Sequence, residues 1–275
     1  MKQFLPAFLI ILLFVPLFSS GYNNTPEGGR SAAMGNASVA LADFWSLQNN
    51  QAGMAFFNQP AAGFYFENRF LVKEMSLRTG GAVLPVGDGV FGLKISYFGY
   101  ELFNESKIGL GYARKFGDYF SAGLQLDYLH TGLGNEYGKK GVVTFEAGLM
   151  SKINPNLTLG AHVFNPIHAK FVEYADERIP AVLRVGAAYS FDRTVTLTIE
   201  AEKETDFDPS LRFGAEYRII DEIYVRGGFS SNPGQYTFGF GINLNRFKID
   251  FASSIHEVLG FSPQFSAVYF FNSKK

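Results

Sequence analysis

From residue 61 onward, apolar and polar side chains alternate in stretch after stretch, and almost nothing repeats at helical spacing. In "VTLTIEAEKE", residues 195–204, Val195, Leu197, Ile199 and Ala201 share one parity, and Thr196, Thr198, Glu200 and Glu202 take the other. Successive side chains of a strand point to opposite faces, so such a stretch has one greasy face and one wet face. The same pattern covers 61–70, 78–86, 90–99, 106–116, 119–130, 141–153 and 157–164, then 180–191, 195–204, 210–219, 223–229, 236–244, 247–254 and 263–271. It predicts about fourteen strands, most near ten residues. Soluble sandwiches centre on about five or six, whereas a tilted membrane-crossing strand needs about nine to eleven.

The connections carry a second pattern. Tight turns are expected at 87–89 (GDG), 117–118 (GD), 154–156 (NPN), 192–193 (DR), 220–222 (IDE) and 245–246 (NR). Gly, Asn and Asp accept the left-handed conformations that short hairpins need. Between them fall longer polar links at 71–77, 100–105, 131–140, 165–179, 205–209, 230–235 and 255–262. Strict short–long alternation predicts an up-and-down meander with one rim at the periplasm and the other outside the cell. An even strand number then places both chain ends on the periplasmic side.

Parity decides which face meets what. One face collects Phe91, Leu93, Ile95, Leu124, Leu126, Phe213, Phe238, Phe240 and Phe251. The other collects Glu67, Arg69, Asp127, Glu146, Arg184, Glu200, Glu202, Arg212, Glu216, Arg226, Lys248 and Asp250. Fourteen strands close into a ring too wide for the bulky set to fill. A soluble all-β protein also fits neither the strand lengths nor the turn alternation, so the apolar face is expected to meet lipid and the charges to line a lumen. Those charges nearly cancel, which predicts paired networks bracing the wall rather than a selective ionic field. Many glycines, Gly92, Gly123, Gly160, Gly186, Gly214 and Gly228 among them, share the inward parity. Glycine weakens a strand unless something needs the room, so a path or a plug is expected beside this wall.

The start of the chain reads as a secretory signal over residues 1–21. Lys2 precedes a run of 15 apolar or proline residues, Phe4 to Phe18, and small residues follow it. The run falls short of the roughly 20 residues of a spanning helix. With a net charge of -1 and no basic block, a nucleic-acid partner is not expected. There are no cysteines, and His130, His162, His168 and His256 show no metal-ligand spacing. No catalytic constellation stands out, so neither an enzyme nor a cofactor is expected.

Residues 22–60 break the strand pattern and are rich in Ala, Gly, Ser and Asn, which suits a segment folded into a confined lumen. The run "GGRSAAMGNASVALAD", followed by "NNQAGMAF", resembles the N-terminal signature of FadL-type outer-membrane proteins and their PorV/PorQ-like relatives. Arg30, Met34, Gly35, Asp43, Asn50 and Gly53 are among the residues that match it, while Phe44 and Gln51 depart from it. The resemblance implies an outer-membrane barrel over 61–275 with an internal N-terminal hatch over 22–60. Two functions follow from it. One is passive passage of a small hydrophobic ligand, captured by Leu102, Phe103, Val258, Leu259 and Phe261 of the 100–105 and 255–262 links. The other is a non-transporting partner of secretion-system proteins (type IX secretion or surface attachment), recognised through the 131–140 and 165–179 links.

Overall fold

A computed structural model of the chain describes residues 24–134, 139–170 and 179–271. Fourteen antiparallel strands follow one another around a closed barrel, with the last bonded back to the first. They are β1 (Ala61–Asn68), β2 (Ser76–Val86), β3 (Gly89–Gly99), β4 (Phe103–Phe116), β5 (Phe120–Leu133), β6 (Lys139–Lys152) and β7 (Leu157–Phe164), then β8 (Val182–Phe191), β9 (Val195–Glu204), β10 (Ser210–Ile220), β11 (Ile223–Ser231), β12 (Gly234–Leu244), β13 (Phe247–His256) and β14 (Gly260–Phe270). Ahead of them come two short helices, α1 (Gly29–Ala33) and α2 (Ser46–Asn49), and a 3-10 turn, Gln51–Phe56. The predicted signal, residues 1–21, lies outside the described residues.

The barrel is inside-out relative to a water-soluble core. On β5, Leu124 and Leu126 are 61% and 58% exposed, while Gln125 and Asp127 beside them are 2% and 0% exposed. Large apolar side chains cover the exterior, and neighbouring strands stack them: Phe240, Phe251 and Phe265 form a ladder with ring centroids 5.0 Å apart at each step. An outer face of that extent is stable against hydrocarbon, and against water it would aggregate.

The chain enters and leaves the barrel side by side. Ala61 pairs with Phe270, and Phe271 N–H donates to the Pro60 carbonyl at 3.1 Å. Both lie on the rim of tight turns. The opposite rim departs from the expected alternation. The 100–105, 230–235 and 255–262 links shrink to 100–102, 232–233 and 257–259 because the strands run on through them. Ladder bonds belong to the backbone, so residues at strand ends stay paired whether polar or apolar: Lys140 sits opposite Thr131, and Phe103 opposite Leu133. Phe103 and Phe261 are therefore strand residues rather than loop residues. β4, β5 and β6 reach 14 residues each, so this side of the wall stands taller than the eight-residue β1 and β7.

Candidate functional site

Residues 24–57 are packed inside the ring, and nearly all of them are buried. The inward glycines are the seats. A Cβ at Gly92 would strike Leu47 and Met54, at Gly123 Gln51, at Gly160 or Gly186 Val39, at Gly214 or Gly228 Met34, and at Gly239 Ala33. Gly109 and Gly241 instead leave room for the wall's own Gln125 and Asp127 and for Arg226 and Asp250. Within the segment, Gly35 has φ +64 and donates its N–H to Thr237 Oγ1 at 2.8 Å. A side chain there would meet both the left-handed penalty and the backbone of Phe213 and Phe229.

On the β8–β13 side the segment is held by charge. Arg30 forks onto Glu216 at 2.9 and 2.6 Å, and its third nitrogen reaches Asp43 at 3.3 Å. Arg226 ties Glu216 to Asp250 at 2.6 and 2.7 Å. Register stacks Arg184 opposite Glu202 and Arg212 opposite Glu200 on adjoining strands. Arg184 bonds Glu202 at 2.6 Å, and Arg212 bonds Glu200 at 3.1 Å. Arg184 also donates to the Asn24 carbonyl, and Glu200 accepts the backbone N–H groups of Ser38 and Val39 at 2.7 and 2.8 Å. Wall side chains thus satisfy the segment's own backbone, which its short helices cannot do unaided.

On the β1–β6 side the hold is largely apolar. Phe44, Trp45, Leu47 and Met54 pack with Tyr65, Leu77, Val83 and Val90. Trp45 stands edge-on to Phe44 and Tyr65 at 5.1 and 5.6 Å. Polar pins cross this face as well. Lys94 meets Glu27 at 2.9 Å, and Lys107 pairs with Glu146 and Asp127. Gln51 donates to Glu146 at 2.7 Å, with His162 on the same carboxylate at 2.9 Å. Asn50 caps the turn after it by accepting from Ala52 N–H at 3.2 Å, and its amide reaches the Val39 carbonyl at 2.7 Å.

The six signature residues therefore have distinct local contacts. Arg30 and Asp43 make the ionic fork, Met34 and Gly35 fill the β9–β12 seat, Asn50 caps, and Gly53 lies against Ser46 and Met150. Of the predicted lumen charges, Arg69 falls in a 3-10 turn after β1 rather than on a strand, where it pairs with Glu67 at 3.3 Å. The aromatic and aliphatic residues by which the segment grips the wall, Phe44, Trp45 and Leu47, were not predicted as contacts. No pattern marks them, because the segment is too short and too irregular for periodicity.

Cavities lie on both sides of the segment. Toward the longer-link rim one of about 380 Å³ lies between Asn24 and the ends of β8–β10, and another of about 190 Å³ lies under Phe70. Toward the tight-turn rim a third, of about 270 Å³, is lined by Arg30, Asp43, Trp45 and Lys248. Leu102, Phe103, Val258, Leu259 and Phe261 line none of these three. Val258 is 84% exposed at the tip of the β13–β14 link, and Leu71, on the neighbouring β1–β2 link, adds a 66% exposed apolar side chain that the sequence reading passed over. Parts of the links proposed for partner recognition, 135–138 and 171–178, lie outside the described residues.

The fold has solved counterparts. The chain superposes on CymD, described as a monoaromatic hydrocarbon channel, with a TM-score of 0.72 at 14% identity, covering 91% of this chain and 99% of that one. The toluene transporter TodX of P. putida matches with a TM-score of 0.67 at 14% identity, over 92% of this chain and 100% of that one. A Pseudomonas aeruginosa FadL homologue matches at 0.64 and 16% identity, over 91% and 98%. A scan of family models finds no match, and a sequence search of curated proteins finds none either. The likeness is one of architecture: a closed fourteen-stranded antiparallel barrel.

Proposed function

We propose that the protein is an outer-membrane channel of FadL type, through which a small hydrophobic molecule passes without an energy source, with residues 22–60 as its hatch. The observation that carries this reading is the seated segment. Residues 24–57 occupy the lumen, yet on the β8–β13 side they are tied down by ion pairs and hydrogen bonds that can be exchanged for water. The likeness to hydrocarbon channels supports the same reading at the level of fold. The tight-turn rim, where the chain enters β1 and leaves β14, would face the periplasm. The exposed apolar tips Leu71, Val258 and Leu259 would meet solute first.

A covalent lock tests the hatch. The chain has no cysteine of its own, and Ala33 of α1 packs against Ala252 of β13. In liposomes carrying the A33C/A252C double variant, oxidation should abolish uptake of a labelled hydrocarbon and reduction should restore it. Wild-type protein that adds no uptake to empty liposomes would remove the transport function. Uptake that ignores the cross-link would remove the hatch.

A further inference from the structure

The β1–β2 link, residues 69–75, folds in a way that its length does not require. Phe70 and Leu71 stand side by side in the left-handed region, at φ +57 and +58. Val72 N–H closes the turn onto the Arg69 carbonyl at 3.0 Å. The link between β8 and β9 makes a similar turn, with Asp192 and Arg193 at φ +46 and +58. That link has only residues 192–194 in which to reverse the chain, and aspartate tolerates the left-handed region. Here residues 69–75 span the gap between Asn68 and its ladder partner Ser76, so relaxed paths are open to them. Phe and Leu have no polar side-chain atom to offset the conformation. Such strain persists only where surrounding contacts impose it, and it gathers at clamps and switches.

The contacts that impose it are few. Phe70 N–H donates to Ser262 Oγ at 3.0 Å, and its ring meets His256 at 85° with centroids 5.9 Å apart. That imidazole is itself held, because its Nδ1 accepts from Val258 and Leu259 N–H at 3.2 and 3.3 Å. Arg69 donates to Glu67 at 3.3 Å and to Thr25 Oγ1 of the lumen segment at 3.2 Å, and its guanidinium lies 5.0 Å over the Phe98 ring. Between link and segment lies the cavity of about 190 Å³, lined by Phe70 and Met75 on one side and by Thr25, Pro26 and Asn36 on the other. Leu71 and Val72 stay exposed, so burial does not repay their conformation. We propose that residues 69–75 are a sprung lid, held shut over this cavity by Phe70 and tied to the lumen segment by Arg69. Opening exchanges two hydrogen bonds and a ring contact for water and lets the turn relax. The lid's part in admitting solute rests on the transport reading, but its opening does not.

Thiol labelling tests the lid, because the chain has no cysteine of its own. Ser254 lines the cavity and is 5% exposed, so Ser254→Cys should react with N-ethylmaleimide only when the lid opens. In the full chain in detergent, adding Leu71→Gly, which suits a left-handed turn, should slow labelling about fivefold. Leu71→Val, β-branched and less tolerant of positive φ, should speed it by a similar factor. Arg69→Gln, which gives up the ionic tie, should speed it about tenfold. Ser121→Cys, at a buried position on the tight-turn rim, should stay unlabelled in every background. Labelling at 254 that ignores the Leu71 substitutions, or that Arg69→Gln leaves unchanged, would overturn the lid. Equal labelling of Ser121→Cys and Ser254→Cys would overturn it too, since that marks general unfolding. A lid that responds as expected in protein moving no hydrocarbon into liposomes would sink the transport reading and leave the lid standing.

Discussion

The two halves of the lumen hold the same segment by different physics. Toward β1–β6 it is embedded through Phe44, Trp45, Leu47 and Met54, whose burial is non-directional and rests on the exclusion of water. Toward β8–β13 it is small and close to the wall: Ala32 and Ala33 lie against Ala252, Gly35 against β10 and β11, and carboxylates and guanidinium groups make the joins. A charged join left without its partner in a buried setting is costly, but water can take each end if it enters. The contrast identifies an anchored half and a latched half, and opening would begin at the latch.

Hydrogen exchange of the segment can break that contrast. The largest effect is expected for Trp45→Ala, about 3–5 kcal/mol from truncating a buried aromatic. It should speed exchange over residues 46–56 far more than over 29–35. If both stretches loosen equally, the segment is one cooperative unit and the division into halves fails. Next comes Phe240→Arg on the outer face, about 2–4 kcal/mol against the barrel in lipid. Unfolding in bilayers should report that loss while the ratio of exchange between the two stretches stays fixed. Arg30→Ala removes one fork but leaves Glu216 its bond to Arg226, so about 1.5–3 kcal/mol is expected. Here exchange should rise over 29–35 first; a rise confined to 46–56 would reverse the assignment of anchor and latch. Asn243→Arg, at the open tight-turn rim, should change stability by less than about 1 kcal/mol and sharpen the scale by giving its floor.

The wall was legible because its period is two and its exterior is uniformly greasy. Ten or so residues of alternation locate a strand whatever it packs against, so Phe240 outward and Asp250 inward follow from parity alone. Link lengths were less legible. A polar stretch such as 230–235 reads as loop, but β11 and β12 stay paired through it until Ser231 and Gly234 meet. Parity also says nothing of what stands opposite an inward residue. By parity Thr237 faces water and should tolerate a long cation, whereas its hydroxyl accepts from Gly35 N–H and donates to the Ala33 carbonyl at 2.8 and 2.9 Å. An arginine at 237 would therefore unseat α1. The rim cavity was hidden for a related reason, since Arg184, Ser210 and Pro233 become neighbours only once successive strands curve into a ring.

The missing side chains of the wall carry a consequence of their own. At Gly160, Gly186, Gly214 and Gly228 even a methyl group has nowhere to go except into residues 34–39 or the adjoining wall. The inner surface is a mould and the lumen segment its casting, so neither can drift in sequence without the other. A chimera that keeps this wall but borrows the N-terminal stretch of another barrel should close poorly and leak, even with every strand in place.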